Sequence, residues 1–174
     1  MTNKQTEQAL QQFGAMVISK ARDRLKSGGI NASGNLSSSL RFESSVSKNS
    51  IAFDFFAEDY WKFIDKGVKG KASSQKAPNS PYRFGTGTGK KGGLTSAIDK
   101  WVIRKGLANV RGKDGRFITR KEMVRMIARS VYMKGIRTTE FFSKPFEEEF
   151  KILQNIIGEK YGNDLEEFLK KELK

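Results

Sequence analysis

Leu40-Arg41-Phe42-Glu43-Ser44-Ser45-Val46 and Ile51-Ala52-Phe53-Asp54-Phe55, joined through Lys48-Asn49-Ser50, form the stretch on which the fold turns. Leu40, Phe42 and Val46 occupy alternate positions with a break at Ser44, and Ile51, Phe53 and Phe55 alternate strictly with Ala52 and Asp54. Period two puts alternate side chains on one face of a strand. The pattern therefore predicts a β-hairpin with one buried, phenylalanine-rich face.

Helical spacing surrounds this hairpin. Upstream, Leu10, Phe13, Val17, Ala21 and Leu25 recur every three or four positions between Thr2 and Lys26, which predicts an amphipathic helix that Ser27-Gly28-Gly29 stops. Asp59 to Asp65 gathers Tyr60, Trp61, Phe63 and Ile64, read as a turn or short helix that fills core against the hairpin. Residues 67–93, rich in Gly and Lys, read as a long loop, mobile in the isolated chain. Thr95 to Lys105 resumes helical spacing with Thr95 as N-cap and Gly106 as stop, and Arg111 to Arg116 reads as an exposed turn.

Thr119-Arg120-Lys121-Glu122 has the pattern of a capping box, opening a helix that buries Val124, Ile127 and Val131 and runs to Lys134. Phe146, Phe150, Leu153 and Ile157 define a last helix entered through Pro145. Beyond Gly158 and Gly162, a separate short helix carries Leu165, Phe168, Leu169 and Leu173 on one face, free to dock on a neighbour. The expected class is α+β: a small antiparallel β-sheet with an N-terminal amphipathic helix and C-terminal helices. The expected organisation is one domain over residues 1–157, with the extended loop 67–93, and a helical extension over 158–174.

The chain has 174 residues, enough for one ordinary core, and 37% of them are hydrophobic, with 13 Phe. It has no Cys and no His. This excludes disulfides, thiolate metal sites and the nucleophilic chemistry that depends on an imidazole base. A polar stretch from Met1 to Gln12 and the lack of any 18-residue apolar run point to a soluble chain without a secretion signal.

Charge is unevenly placed. The formal net charge is +14, and the stretch from Lys66 to Lys134 alone holds 18 Lys+Arg against Asp99, Asp114 and Glu122. The remaining residues balance to −1. A region of this kind needs an anionic neighbour, either nucleic acid or an acidic protein ring. Candidate contacts are Lys69, Lys71, Lys76, Arg83, Lys90 and Lys91.

Catalytic readings fail on spacing. In Phe84-Gly85-Thr86-Gly87-Thr88-Gly89-Lys90-Lys91 a phosphate loop would need Gly at Phe84 and Ser or Thr at Lys91. Asp54, Glu58, Asp59 and Asp65 lack the spacing of a two-metal nuclease, and the acidic run Glu147-Glu148-Glu149 suits the first turn of a helix, where the dipole favours it. Tyr82, Phe84 and Trp101 among basic residues could stack on single strands, although Trp101 lies on an apolar helical face. The expectation is a non-enzymatic protein with no catalytic residue, metal or cofactor.

Three short motifs in a fixed order carry a resemblance. They are Ser33-Gly34-Asn35-Leu36 with Ser39-Leu40, Tyr60-Trp61-Lys62-Phe63-Ile64-Asp65-Lys66-Gly67, and Thr139-Glu140-Phe141-Phe142-Ser143-Lys144-Pro145-Phe146. In order and spacing, over roughly Leu10 to Phe150, the chain resembles the tail-completion or neck (head–tail connector) proteins of tailed bacteriophages. The resemblance implies a structural virion protein, made in the host cytoplasm. It would form a homo-oligomeric ring at the neck or head–tail joint, twelvefold in preference to sixfold, through which DNA passes. It also implies contacts with the portal or adjacent neck and tail proteins, none with a membrane, and places Tyr60, Trp61, Phe63, Asp65, Gly67, Phe141 and Phe142 at contacts with neighbouring subunits or partners. A stand-alone, sequence-nonspecific DNA-binding protein is the alternative.

Overall fold

A computed structural model describes residues 4–30, 33–46, 51–87, 92–107, 110–111 and 115–172. In chain order the elements are α1 (Lys4–Ser27), α2 (Asn35–Ser39), β1 (Arg41–Val46), β2 (Ile51–Phe56), α3 (Trp61–Lys66), β3 (Val68–Lys69), α4 (Gly93–Arg104), α5 (Arg120–Lys134), β4 (Gly135–Ile136) and α6 (Ser143–Glu172). The expected α+β class holds, with helices accompanying two small antiparallel sheets, β1–β2 and β3–β4. The expected single domain does not. The chain makes two compact units, one of Met1–Asn31, Asn35–Asp59 and Phe141–Lys174, the other of Ala32–Gly34 and Tyr60–Glu140. Among the described residues, each unit has an apolar cluster assembled by its own elements.

In the first unit the hairpin has the register Phe42↔Phe55 and Ser44↔Phe53, which sets Phe42, Phe53 and Phe55 on one face. That face packs on α1 and α6. The Phe13 ring meets Phe53 at 5.4 Å and Phe146 at 5.8 Å edge-on, and Phe146 stacks on Phe150 at 5.6 Å. Such offset and T-shaped pairs add to the area effect of burial. The predicted break at Ser44 has a use, since its hydroxyl accepts a hydrogen bond from Gln11 Nε2 at 2.9 Å. The residues joining the strands, including Lys48-Asn49-Ser50, lie outside the described set.

Helix α1 ends where Gly28-Gly29 predicted. The Ile30 N–H reaches the Leu25 carbonyl and the Gly29 N–H the Lys26 carbonyl, the paired bonds of a Schellman cap, with Gly29 at φ +62°. Arg22 then ties the next segment down, donating to the carbonyls of Ser37 and Leu40 at 3.0 Å each.

The C-terminal extension is not a separate helix. Helix α6 runs unbroken through Gly158 and Gly162 to Glu172. Each internal Gly costs about 1 kcal/mol relative to Ala. The helix persists because Leu153, Ile156 and Ile157 pack on the α1 cluster of Leu10, Phe13 and Val17. Farther along, the buried Asp164 carboxylate accepts hydrogen bonds from the Thr6 N–H (2.9 Å), the Thr6 hydroxyl (2.8 Å) and the Gln5 N–H (3.1 Å). These amides belong to the first turn of α1, whose donors have no partner within the helix. A residue on α6 thus caps α1.

The second unit is built on α4 and α5, around Val102, Met123 and Val124 with Ile98, Trp101 and Ile127 beside them. Trp101 is half-buried and packs against this cluster, on the apolar side its helical position indicated. Helix α4 begins two residues before the expected Thr95 cap, with Gly92 in the cap position at φ +77°. The Thr119–Glu122 capping box is present in full.

The segment 67–93 is only in part the loop expected. Its described portion is tied to the rest of the unit by main-chain bonds: Lys69 N–H to Tyr82 O (2.9 Å), Phe84 N–H to Lys69 O (2.9 Å), Lys71 N–H to Tyr132 O (2.9 Å) and Thr138 N–H to Lys76 O (3.0 Å). Ala77 is fully buried, and the buried Ser80 hydroxyl donates to Gly67 O at 2.7 Å. Gly and Lys composition signalled mobility, but backbone groups need no apolar side chain to find partners. Residues 88–91 lie outside the described set.

Candidate functional site

The second and third motifs of the sequence meet in the second unit. The Asp65 carbonyl accepts from the N–H groups of Thr139 (3.1 Å) and Glu140 (3.0 Å), the Thr139 hydroxyl donates to Ile64 O (2.8 Å), and the Thr138 hydroxyl donates to Lys66 O (2.9 Å). Seventy-odd residues of chain are closed into one unit by this clamp. Gly67 makes the approach possible. At φ +69°, a Cβ there would lie 2.7 Å from both Ile136 O and Thr138 N.

The residues expected at subunit contacts therefore separate into two groups. Asp65 and Phe141 are fully buried within the chain, and Gly67 is buried under the clamp, so these three hold the fold and are not available as surface contacts. Phe142 is half-buried in the first unit, 5.1 Å from the Phe55 ring. Tyr60 and Phe63 are exposed, and Trp61 is half-exposed. Helix α3 belongs to the second unit and does not fill the hairpin core as expected. Its Trp61 lines a cleft of about 850 Å³, together with Lys62, Lys66, Pro78, Pro81 and Tyr82. Tyr82 stands edge-on to Phe63 at 4.6 Å, and the Lys62 ammonium lies 5.9 Å above the Trp61 ring.

Of the expected anion contacts, Lys71, Lys76 and Arg83 are exposed and Lys69 is half-buried, whereas Lys90 and Lys91 lie outside the described residues. The division of charge follows the fold. The second unit holds 20 Lys+Arg against 5 Asp+Glu, and the first holds 13 against 14.

Helix α5 presents a further set that sequence reading missed. Lys121, Arg125 and Arg129 are all exposed and recur at i, i+4 and i+8, on one side of the helix. Nearby acids are already committed. Asp99 pairs with Arg120 at 3.0 Å, and the Glu122 carboxylate accepts from the Thr119 hydroxyl at 2.8 Å and its N–H at 3.1 Å. Those bonds, with the charge of Arg125, hold the Glu122 carboxyl below the usual carboxylate range. The spacing was visible in the sequence, where the row was counted as charge and not read as a helix face.

Among the described residues, no group of three or more His, Cys, Asp or Glu side chains could hold a metal ion, and no helix is long and apolar enough to cross a membrane. No protein-family model, curated protein or solved structure matches the chain.

Proposed function

We propose that the chain is a structural, non-enzymatic virion protein of a tailed bacteriophage, a ring subunit of the neck or head–tail joint between portal and tail. Twelve copies are favoured over six, and genomic DNA passes through the channel. The observation that carries this reading is the aromatic wall of Tyr60, Trp61, Phe63 and Tyr82. The first three lie within the second of the three motifs, Trp61 and Tyr82 line a cleft, and Tyr60 and Phe63 are exposed although the unit has a core of its own. Aromatic residues at a rim are what a subunit contact uses for its central anchors, and an isolated chain gains nothing from exposing them.

The experiment is native mass spectrometry with negative-stain imaging of the purified chain, alone and with its portal. Discrete rings are expected. The double variant Tyr60→Ser, Phe63→Ser is expected to fall to monomer while its melting temperature stays within a few degrees of the parent, because both side chains are exposed. Rings that survive the double substitution would remove this wall from the interface.

The second reading, a stand-alone sequence-nonspecific DNA-binding protein, draws on the concentration of positive charge in the second unit. It predicts a monomer or dimer that shifts duplex DNA at low salt and never forms rings.

A further inference from the structure

We propose that the outward face of α5, carrying Lys121, Arg125 and Arg129, is the surface that grips the phosphate backbone of duplex DNA. The Lys-rich segment around Lys69, Lys71 and Lys76 is not. This assignment rests on the proposed function only in taking the packaged genome as the duplex concerned.

The row is costly as it stands. Like charges at i, i+4 repel and destabilise a helix. Among the described residues, no carboxylate lies within 4 Å of any of the three. With a rise of about 1.5 Å per residue, the cations stand roughly 6 Å apart over about 12 Å, a straight array that suits a polymer of regular negative charge. At the start of the row, Lys121 and Arg125 also line a cleft between α4 and α5, together with the hydroxyl-bearing Thr95 and Ser96 and the Arg120–Asp99 ion pair, whose carboxylate is already committed. Hydroxyls and guanidinium groups are the usual sequence-blind donors to phosphate.

Composition points the same way. From Lys62 to Lys91 the second unit has seven Lys and one Arg, whereas from Lys100 to Arg137 it has seven Arg and five Lys. The planar guanidinium fork binds phosphate bidentately, which an ammonium cannot do. An acidic protein is the poorer fit for this face. Protein interfaces are depleted of charge and rich in aromatic residues at their centre, and here charge holds the middle with only Met126 and Met133 exposed beside it. The aromatic cleft near Trp61 has the opposite character.

The test is fluorescence anisotropy of the full chain with two unrelated 24-base-pair duplexes between about 50 and 200 mM salt. Wild type is expected to bind both equally, with a steep salt dependence. Each lost phosphate contact lowers the slope of log K against log salt by about 0.9, so Lys121→Gln, Arg125→Gln, Arg129→Gln together should lower it by roughly 2 to 3 and weaken binding about 100-fold or more near 0.1 M salt. The control Lys69→Gln, Lys71→Gln, Lys76→Gln removes the same charge and should change the slope by less than about 1. Circular dichroism of the α5 triple variant should show unchanged helix content and a melting temperature within a few degrees of the parent, since the relief of like-charge repulsion and the loss of the Arg125–Glu122 attraction oppose one another.

Equal losses in the two triple variants would overturn the proposal, as would indifference to the α5 triple. Capture of polyglutamate in preference to duplex would overturn it in favour of an acidic protein partner. Native mass spectrometry of the same samples separates this inference from the ring. Monomers that bind duplex through α5 would sink the ring alone, and rings whose DNA affinity ignores the α5 triple would sink the α5 surface alone.

Discussion

Replacing Gly14 by Ala is expected to destabilise the first unit by about 2 kcal/mol or more, even though Ala is the better helix former. Gly14 is buried in the middle of α1, and a Cβ there would overlap the Cγ, Cδ1 and Cε1 edge of the Phe42 ring. That ring cannot retreat freely, because Phe55 lies 5.0 Å away across the hairpin and Phe13 lies 6.5 Å away on α1. Ala gains up to about 1 kcal/mol of helix propensity. Overpacking a close-fitted core costs about 1–3 kcal/mol, occasionally more, and a methyl that overlaps a packed ring edge belongs at the upper end.

Thermal denaturation should therefore show a melting temperature lower by roughly 5–10 °C. The decisive measurement is a double-mutant cycle. In a Phe42→Val background the ring is gone, so Gly14→Ala should become neutral or stabilising by up to about 1 kcal/mol. The same loss in both backgrounds would show that the ring is not the cause.

Asp164→Ala is expected to cost about 2–4 kcal/mol, since hydrogen bonds to a charged acceptor contribute more than neutral ones and their loss leaves buried donors unpaired. Burial opposes ionisation of Asp164, but the Thr6 N–H, the Thr6 hydroxyl and the Gln5 N–H outweigh it and hold the carboxyl below its ordinary value. A folded-state pKa depressed in this way contributes stability that is present above the unfolded-state value and is lost as pH falls through the folded-state value. The wild-type chain should lose this contribution progressively below about pH 5, and the Asp164→Ala variant should lack that part of the acid limb. Urea midpoints measured from pH 7 down to pH 3 check it. An unchanged acid limb in the variant would show that the carboxylate does not cap α1.

Both effects are tertiary, and they mark where sequence reading stops. The hairpin, α1 with its Gly28-Gly29 stop, the Thr119 capping box and the inward, half-buried side of α4 that carries Trp101 were legible, because each depends on periodicity or on groups a few residues apart. The boundary at Gly158 was misplaced because local propensity charges for glycine, while the compensation comes from the contact of Asp164 with Thr6, two residues 158 apart along the chain. Asp65 and Phe141 look like exposed motif residues for the same reason. Their burial depends on how distant segments close around them, and short motifs carry no record of burial.

The interface residues show the same division. Aromatic content at Tyr60, Trp61 and Phe63 was plain in the sequence, but which of these rings remain exposed follows from the clamp of Thr138 and Thr139 on α3. Basic residues were countable, yet the row Lys121, Arg125 and Arg129 becomes one surface only once α5 turns Val124 and Ala128 inward. By itself, then, the sequence determined the α+β class, the stop of α1, both ends of α5 and the basic character of the middle of the chain. The tertiary structure alone decided the two-unit division, the unbroken α6, the ordering of residues 67–87 and the faces left to solvent. Local propensities are worth tenths of a kcal/mol to about 1 kcal/mol per residue, whereas burying an aromatic cluster or satisfying a buried carboxylate is worth several, so contacts between distant segments have the final say.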